Sequence, residues 1–127
     1  MERHPRLKVA FLESGATWLP YWLHRLDEHV EWLGHIEAKH LSMLPTEYFK
    51  RQGWITLESD EPNLRGLVDF VGADRLLWAS DYPHPDAVFP GVVAELDEAI
   101  SELTADQQTA IAGGNAAELY RLPVPES

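Results

Sequence analysis

The stretch Arg75-Leu-Leu-Trp-Ala-Ser-Asp-Tyr-Pro-His-Pro85 decides the fold of this chain. Its apolar or small residues at 76–79 run without polar alternation, as in a strand that is buried on both faces. The run stops at Asp81, and the prolines on either side of His84 prevent regular structure from continuing. We therefore expect Asp81 and His84 to project from the C-terminal end of a parallel strand, where α/β folds carry their active sites.

Two upstream stretches are predicted as strands: the first repeats the pattern of a short apolar strand that ends in an acid, and the second is a β-branched and aromatic run. The first runs from Leu7 to Glu13 and the second from Trp54 to Glu58. Apolar residues at helical spacing predict a helix after each of the three strands, at about 18–33, at 64–71 ending before Gly72, and at about 92–103. The alternation of strand and helix predicts a parallel sheet with right-handed crossovers, in which the strand at Trp54 lies between the other two.

Smaller features of the sequence complete this prediction. Helix caps are expected at Thr17, at Thr46, at Ser59 or Asp60, and at Asn115. A short helix is predicted at 47–52, and two more are predicted between Thr104 and Arg121, where Gly113-Gly114 separates them. The segment 34–44 shows little periodicity and reads as a loop or a weak helix. The aromatic cluster at Trp18, Tyr21 and Trp22 is expected to pack between helix and sheet, with a pocket wall as the alternative.

Composition limits the function classes. The 127 residues with 45% apolar content suffice for one domain, 1–127, with a modest core. A formal net charge of −11 would repel phosphate backbones, so nucleic acid is not an expected partner. The absence of cysteine excludes disulfides and thiolate metal sites, and no signal peptide or membrane span is apparent. We expect a cytoplasmic protein with no membrane association.

Three parallel strands make an incomplete sheet, because both outer strands present unpaired backbone groups. Either other copies of the chain cover these edges by self-association, or the chain is the C-terminal portion of a longer barrel whose N-terminal part is missing. The second option is favoured because only six residues precede the first predicted strand.

The third strand and the C-terminus resemble one family. Residues 76–84, Leu-Leu-Trp-Ala-Ser-Asp-Tyr-Pro-His, followed by Phe89-Pro-Gly and by the 114–120 stretch Gly-Asn-Ala-Ala-Glu-Leu-Tyr, are similar to the C-terminal third of amidohydrolase-related proteins, which include aminocarboxymuconate-semialdehyde decarboxylase-like enzymes. The resemblance implies an α/β chain of about three βα units, strands six to eight of a (β/α)8 TIM barrel, followed by C-terminal helices. It also implies a divalent metal ion, zinc first and manganese second, at the C-terminal mouth.

The resemblance assigns site residues only where the sequence matches. Asp81 stands where the last strand ends in an aspartate that binds the metal or takes a proton from the attacking water; capping a turn is the alternative. Glu13 stands where decarboxylase-like members have a histidine, and it could orient water or bind substrate, or simply pair with a neighbouring base. His84 either lines the pocket or bonds its own loop.

These assignments predict a C-terminal fragment of a metal-dependent hydrolase that acts on a small-molecule substrate through metal-activated water. The alternatives are a decarboxylase of the same family and a non-catalytic remnant or oligomerising module. A hydrolytic metal site needs about three protein ligands, and the family's N-terminal His-x-His pair and its fifth-strand histidine have no counterpart here. The isolated chain is therefore expected to be inactive.

Overall fold

In the computed structural model, which describes residues 1–85 and 87–123, the chain forms a parallel sheet of three strands. The strands are β1 (Val9–Phe11), β2 (Gly53–Leu57) and β3 (Leu76–Trp78). β2 lies in the centre, with Ile55 opposite both Phe11 and Leu76. The predicted strand order and direction are therefore confirmed. β2 lies one residue earlier than predicted and β3 ends one residue earlier, whereas β1 is two residues shorter at each end than the predicted strand at 7–13.

Helices follow the strands in the predicted alternation. They are α1 (Leu19–Glu37), α2 (Pro45–Gln52), α3 (Leu64–Val71), α4 (Val92–Ala99), α5 (Ala105–Thr109) and α6 (Asn115–Tyr120), with a 3-10 turn at Ala73–Arg75 and a π turn at Ala110–Gly114. In the part of the chain that the structure describes, no helix combines the length and apolar character that a membrane span requires.

The core lies on one face of the sheet. Ile55, Leu57 and Leu76 are fully buried there, and all five residues of β2 are buried. The helices cover these strands with apolar side chains, namely Leu19, Leu23, Leu67, Val68, Leu96, Ile100 and Ile111. On the opposite face, Trp54 lies beneath the guanidinium of Arg75 at 4.8 Å and the amine of Lys8 at 5.4 Å.

The start of α1 is capped from a distant loop, which corrects the prediction of a Thr17 cap. The Glu61 carboxylate accepts hydrogen bonds from the backbone N–H groups of Ala16 at 2.9 Å and Thr17 at 2.7 Å. These two N–H groups belong to the loop that leads into the helix, and a carboxylate here suits the positive end of the helix dipole. The helix also continues past the predicted end at Leu33 to Glu37, and Gly34 is buried within it.

Two further capping predictions and one predicted helix end are wrong. Pro45 begins α2, and the Glu47 carboxylate accepts from the N–H of Leu44, so Thr46 is inside the helix. Asn63, in a left-handed conformation with φ 58°, precedes α3 instead of Ser59 or Asp60. The helix α4 ends at Ala99 and not at Leu103. Thr104 does begin α5 as predicted, since its hydroxyl accepts from the N–H of Gln107.

Asn115 is the first residue of α6 and does not cap it. Its buried amide donates to the carbonyl oxygens of Ala73 and Leu76, each at 2.7 Å, and so ties the C-terminal helices to the start of β3. The helical path kinks at Gly113, as the glycine pair predicted.

Candidate functional site

The C-terminal ends of β2 and β3 enclose the candidate active site. A cavity of about 220 Å³ lies between these two strand ends and the start of α4. Its lining is small, acidic or hydroxyl-bearing for the most part: Glu58, Ser59, Asp60, Ala79, Ser80, Asp81, Ala87, Val88 and Val92. Asp81 therefore lies where the sequence places it, at the mouth of the sheet.

Asp81 is held in a defined turn. Its backbone adopts φ 55°, a left-handed conformation that aspartate tolerates better than most residues. The His84 N–H donates to the Asp81 carbonyl oxygen at 2.9 Å, and the His84 ring nitrogen Nδ1 lies 2.9 Å from Asp81 Oδ1. About a quarter of the Asp81 side chain remains exposed. His84 thus positions the carboxylate from the solvent side, and among the described residues it is not part of the cavity lining.

Glu13 occupies the corresponding place after β1. Its backbone also has φ 55°, and its N–H donates to the Thr56 hydroxyl at 3.1 Å. The side chain is exposed and is absent from the described lining of the cavity. Because β2 separates the two strands, β1 and β3 lie about 10 Å apart at the mouth. The structure brings Asp81 and His84 into contact, whereas Glu13 stands across the mouth from them.

Sequence reasoning missed the contribution of the loop after β2. Glu58 and Asp60 line the cavity, the Ser59 hydroxyl donates to Glu95 of α4 at 2.7 Å, and Glu61 fixes the loop before α1. The signal was present, because acids directly after an apolar strand are the pattern that singled out Asp81. Ser59 and Asp60 were instead predicted to cap the following helix.

The cavity has an acidic character. Three acidic residues, Glu58, Asp60 and Asp81, belong to its described lining, and no basic residue does. Hard divalent cations prefer such oxygen donors, and a negatively charged substrate would be repelled unless a cation intervened. Within 1–85 and 87–123, however, no three His, Asp or Glu side chains form a group that could hold a metal ion. The described residues fit a partial ligand set only.

Comparison with known proteins connects this mouth to a family. The sequence profile of the amidohydrolase family matches residues 1–122. The chain belongs to this family. The resemblance found in the residues around Asp81 is thereby confirmed, and the match extends from the strand β1 through the C-terminal helices.

Two relatives of the chain near 30% identity are decarboxylases. It is 30% identical to a 2-amino-3-carboxymuconate-6-semialdehyde decarboxylase of Dictyostelium discoideum over 95% of its own length and 33% of the relative. It is 29% identical to the 5-carboxyvanillate decarboxylase LigW of Sphingomonas paucimobilis, with a TM-score of 0.76, over 96% of its own length and 36% of that chain. The chain thus spans about a third of the length of these relatives.

A third relative shows the fold at lower identity. A 5-carboxyvanillate decarboxylase of Novosphingobium aromaticivorans, solved with bound manganese and a nitrobenzoic acid, is 23% identical with a TM-score of 0.72. The match covers 95% of this chain and 35% of that one. The small parallel α/β sheet therefore corresponds to a portion of an amidohydrolase-family fold, as predicted.

Proposed function

We propose that the chain forms the C-terminal third, strands six to eight, of a metal-assisted decarboxylase barrel that acts on a small carboxylated substrate. The observation that carries the proposal is the Asp81 carboxylate, held by His84 at the mouth of a sheet, in a chain with two decarboxylases among its relatives near 30% identity. Decarboxylation, which the sequence offered as an alternative, is better supported than hydrolysis because these two relatives have names that specify the reaction, whereas the family name amidohydrolase does not.

In this proposal Asp81 is both a cation ligand and a proton-handling group. His84 engages Oδ1, so Oδ2 is the atom that we assign to the cation. A carboxylate beside a divalent cation stays ionised and is held by the rigid end of β3. When bound, the cation would offset the negative charge on the oxygen atoms of the substrate at this acidic mouth. The neighbouring carboxylates of Glu58 and Asp60 maintain the negative potential that attracts it.

Manganese is preferred over zinc in this proposal. The residues at the mouth offer oxygen donors, which suit manganese. Structural zinc sites, in contrast, are usually built from nitrogen and sulfur ligands. The Novosphingobium relative carries manganese. The remaining ligands must come from elements outside this three-stranded sheet, since the described residues supply a partial set. We infer that those elements also pair with the open edges of β1 and β3.

Hydrolysis remains a second candidate because of Glu13. In the resemblance, decarboxylase-like members have a histidine at this strand end, and a glutamate here is an acceptor that can orient water. The side chain faces solvent at the mouth, about 10 Å across the sheet from Asp81 by strand spacing. If Glu13 performs this role, the assembled site hydrolyses its substrate without releasing CO2.

A chimera tests the proposal. Residues 7–123 of this chain replace the aligned C-terminal third of the Sphingomonas 5-carboxyvanillate decarboxylase, and manganese content and CO2 release are measured. We expect about one manganese ion per chain and measurable decarboxylation. Asp81→Asn should lose at least tenfold in rate and reduce the manganese content. Asp60→Asn, which removes a carboxylate from the same cavity, serves as the matched control and should have a much smaller effect.

Glu13 provides the second arm of this experiment. Glu13→His restores the residue type of the decarboxylase-like members, and histidine tolerates the left-handed backbone found there. Its CO2 release should exceed that of the chimera with Glu13. A folded chimera that binds manganese but hydrolyses esters or amides without CO2 release would favour the hydrolase. A folded chimera without bound metal would indicate a non-catalytic remnant.

A further inference from the structure

The turn after β1 holds a glutamate in an unfavourable backbone conformation. Glu13 has φ 55°, in the left-handed region that glycine adopts readily and that asparagine and aspartate adopt more often than other residues. Glycine at this position would remove the cost, yet the chain has its glycine two residues later, at Gly15 with φ 59°. Other residues persist in this region only where the surrounding structure holds them, and such places cluster at functional sites. The side chain that holds Glu13 is therefore of functional interest.

Thr56 holds the start of this turn. It is 8% exposed and lies on the central strand β2, one residue beyond the last pair of the β1–β2 ladder, which joins Phe11 to Ile55. The Thr56 hydroxyl accepts a hydrogen bond from the Glu13 N–H at 3.1 Å and donates to the Phe11 carbonyl oxygen at 3.4 Å. One buried hydroxyl thus takes the place of the backbone ladder where β1 ends, and it joins the last residue of the strand to Glu13.

Side chains also hold the rest of the turn, residues 13–17. The Trp18 indole donates to the carbonyl oxygens of Ser14 and Gly15, each at 3.0 Å. The Glu61 carboxylate accepts from the next two N–H groups of the loop, at 2.9 and 2.7 Å. The backbone of the turn is therefore fixed at both ends and in the middle, whereas the Glu13 side chain is exposed. A turn that is held in this way presents residue 13 to the mouth in one backbone orientation.

We propose that Thr56 is a positioning residue for the side chain at position 13, whose direction into the mouth it sets through the backbone. The inference rests on the proposed function, since it concerns the strand-end group that orients water or handles a proton in that reaction. Thr56 is not among the described residues that line the cavity beside Asp81, so it affects the reaction only through residue 13. Both outer strands then end alike, in an acid with φ 55° that a neighbouring side chain holds: Thr56 holds Glu13, and His84 holds Asp81.

Two substitutions separate the hydroxyl of Thr56 from the shape of its side chain. Thr56→Val keeps the shape and loses both hydrogen bonds, whereas Thr56→Ser keeps the hydroxyl and loses a methyl group. Hydrogen exchange, followed by NMR on the full chain, measures the effect on the turn. In Thr56→Val the Glu13 N–H should exchange at least about tenfold faster than in wild type, and in Thr56→Ser it should stay within about threefold. The Ile55 N–H, in the central strand, corrects for any change in global stability.

The decarboxylase chimera measures the consequence for the reaction. In the chimera with Glu13→His, Thr56→Val should lower kcat at least about tenfold, because residue 13 is no longer held in its working orientation. KM and manganese content should stay within about twofold, because the cavity and Asp81 are unchanged. Thr56→Ser should retain about half of kcat or more. Thr109→Val makes the same substitution at an exposed position of α5 and should change none of these values.

Three results would overturn the positioning role of Thr56. The first is a Glu13 N–H that exchanges at the wild-type rate in Thr56→Val, and the second is an active chimera in which Thr56→Val and Thr56→Ser have the same kcat. The third is a loss of kcat that follows only the loss of stability in both variants, which would limit Thr56 to the fold. A chimera that releases no CO2 with Thr56 intact contradicts the proposed decarboxylation instead, and hydrogen exchange at Glu13 then decides the role of Thr56.

Discussion

The polar side chains at the two ends of β3 differ in burial and in their hydrogen-bond partners. At the start of the strand, the Asn115 amide is 8% exposed, and it donates to two backbone carbonyl oxygens. At the other end, the Asp81 carboxylate is partly exposed and has an exposed histidine as its partner. The buried Asn115 amide thus has its hydrogen-bond partners within the fold, whereas the charged Asp81 carboxylate borders a cavity.

The stretches that carry the family resemblance therefore have two different tasks: one stabilises the fold, and the other forms the candidate site. Around 114–117 the residues hold the C-terminal helices against the strand, and around 80–84 they shape the mouth. In parallel α/β barrels the chemistry lies at the C-terminal end of the strands, and the opposite end maintains the fold. A substitution at Asn115 should therefore change stability, and one at Asp81 should change ligand binding.

The largest predicted effect is at Asn115. Asn115→Ala leaves the carbonyl oxygens of Ala73 and Leu76 without their donor in a buried place, which should lower the free energy of unfolding by about 1–3 kcal/mol. Urea denaturation measures this. Asp81→Asn, at the opposite end of β3, should change it by less than about 0.5 kcal/mol. Equal losses for the two variants would remove the contrast between the ends.

A smaller effect is expected at Glu61, which holds the loop before α1. Glu61→Gln loses the charge that assists its hydrogen bonds to Ala16 and Thr17, so the free energy of unfolding should fall by about 1 kcal/mol. Thermal denaturation measures this loss, and Glu102→Gln, at an exposed position, is the control. If both variants melt at the wild-type temperature, the Glu61 cap does not stabilise α1.

The smallest effect concerns Glu2, whose partners lie in the segment between α1 and α2. The Ser42 hydroxyl and N–H donate to its carboxylate, at 2.8 and 3.2 Å, and lower the pKa of Glu2 below the ordinary 4.5. A lowered folded-state pKa stabilises the fold above pH 4.5, and this contribution is lost as the pH falls through the folded-state value. NMR titration should show the lowered pKa. Ser42→Ala should raise it, and an unchanged value would contradict the assignment.

The sequence predicted the strands better than the helix ends, for a physical reason. Runs such as 76–79 and 54–57 report burial directly, and the strand order follows from the alternation with helices. Capping depends on which side chain reaches a helix end in three dimensions. Glu61 is 44 residues from the Thr17 N–H that it caps, and Asn115 bonds a carbonyl 42 residues away at Ala73, so neither contact leaves a local signal.

The site was predictable to a similar extent. The position of Asp81 at the end of its strand was predicted, and its partner His84 is only three residues away in the sequence. After β2, Glu58 was assigned to the end of the strand and Asp60 to a possible cap, so neither was recognised as lining the cavity. The aromatic residues at the start of α1 were also misread: Tyr21 and Trp22 were expected to pack between helix and sheet, yet both are more than half exposed. Aromatic residues at helical spacing do not reveal which of two faces the sheet covers.

Metal binding by the chain alone tests the central claim, that Asp81 supplies one ligand of a site that other elements complete. Calorimetric titration with Mn2+ should give a dissociation constant of about 10⁻⁴ M or weaker, because few protein ligands converge there. Asp81→Asn should weaken this binding further. A submicromolar site with one ion per chain that Asp81→Asn abolishes would show a complete ligand set within the chain and contradict the account.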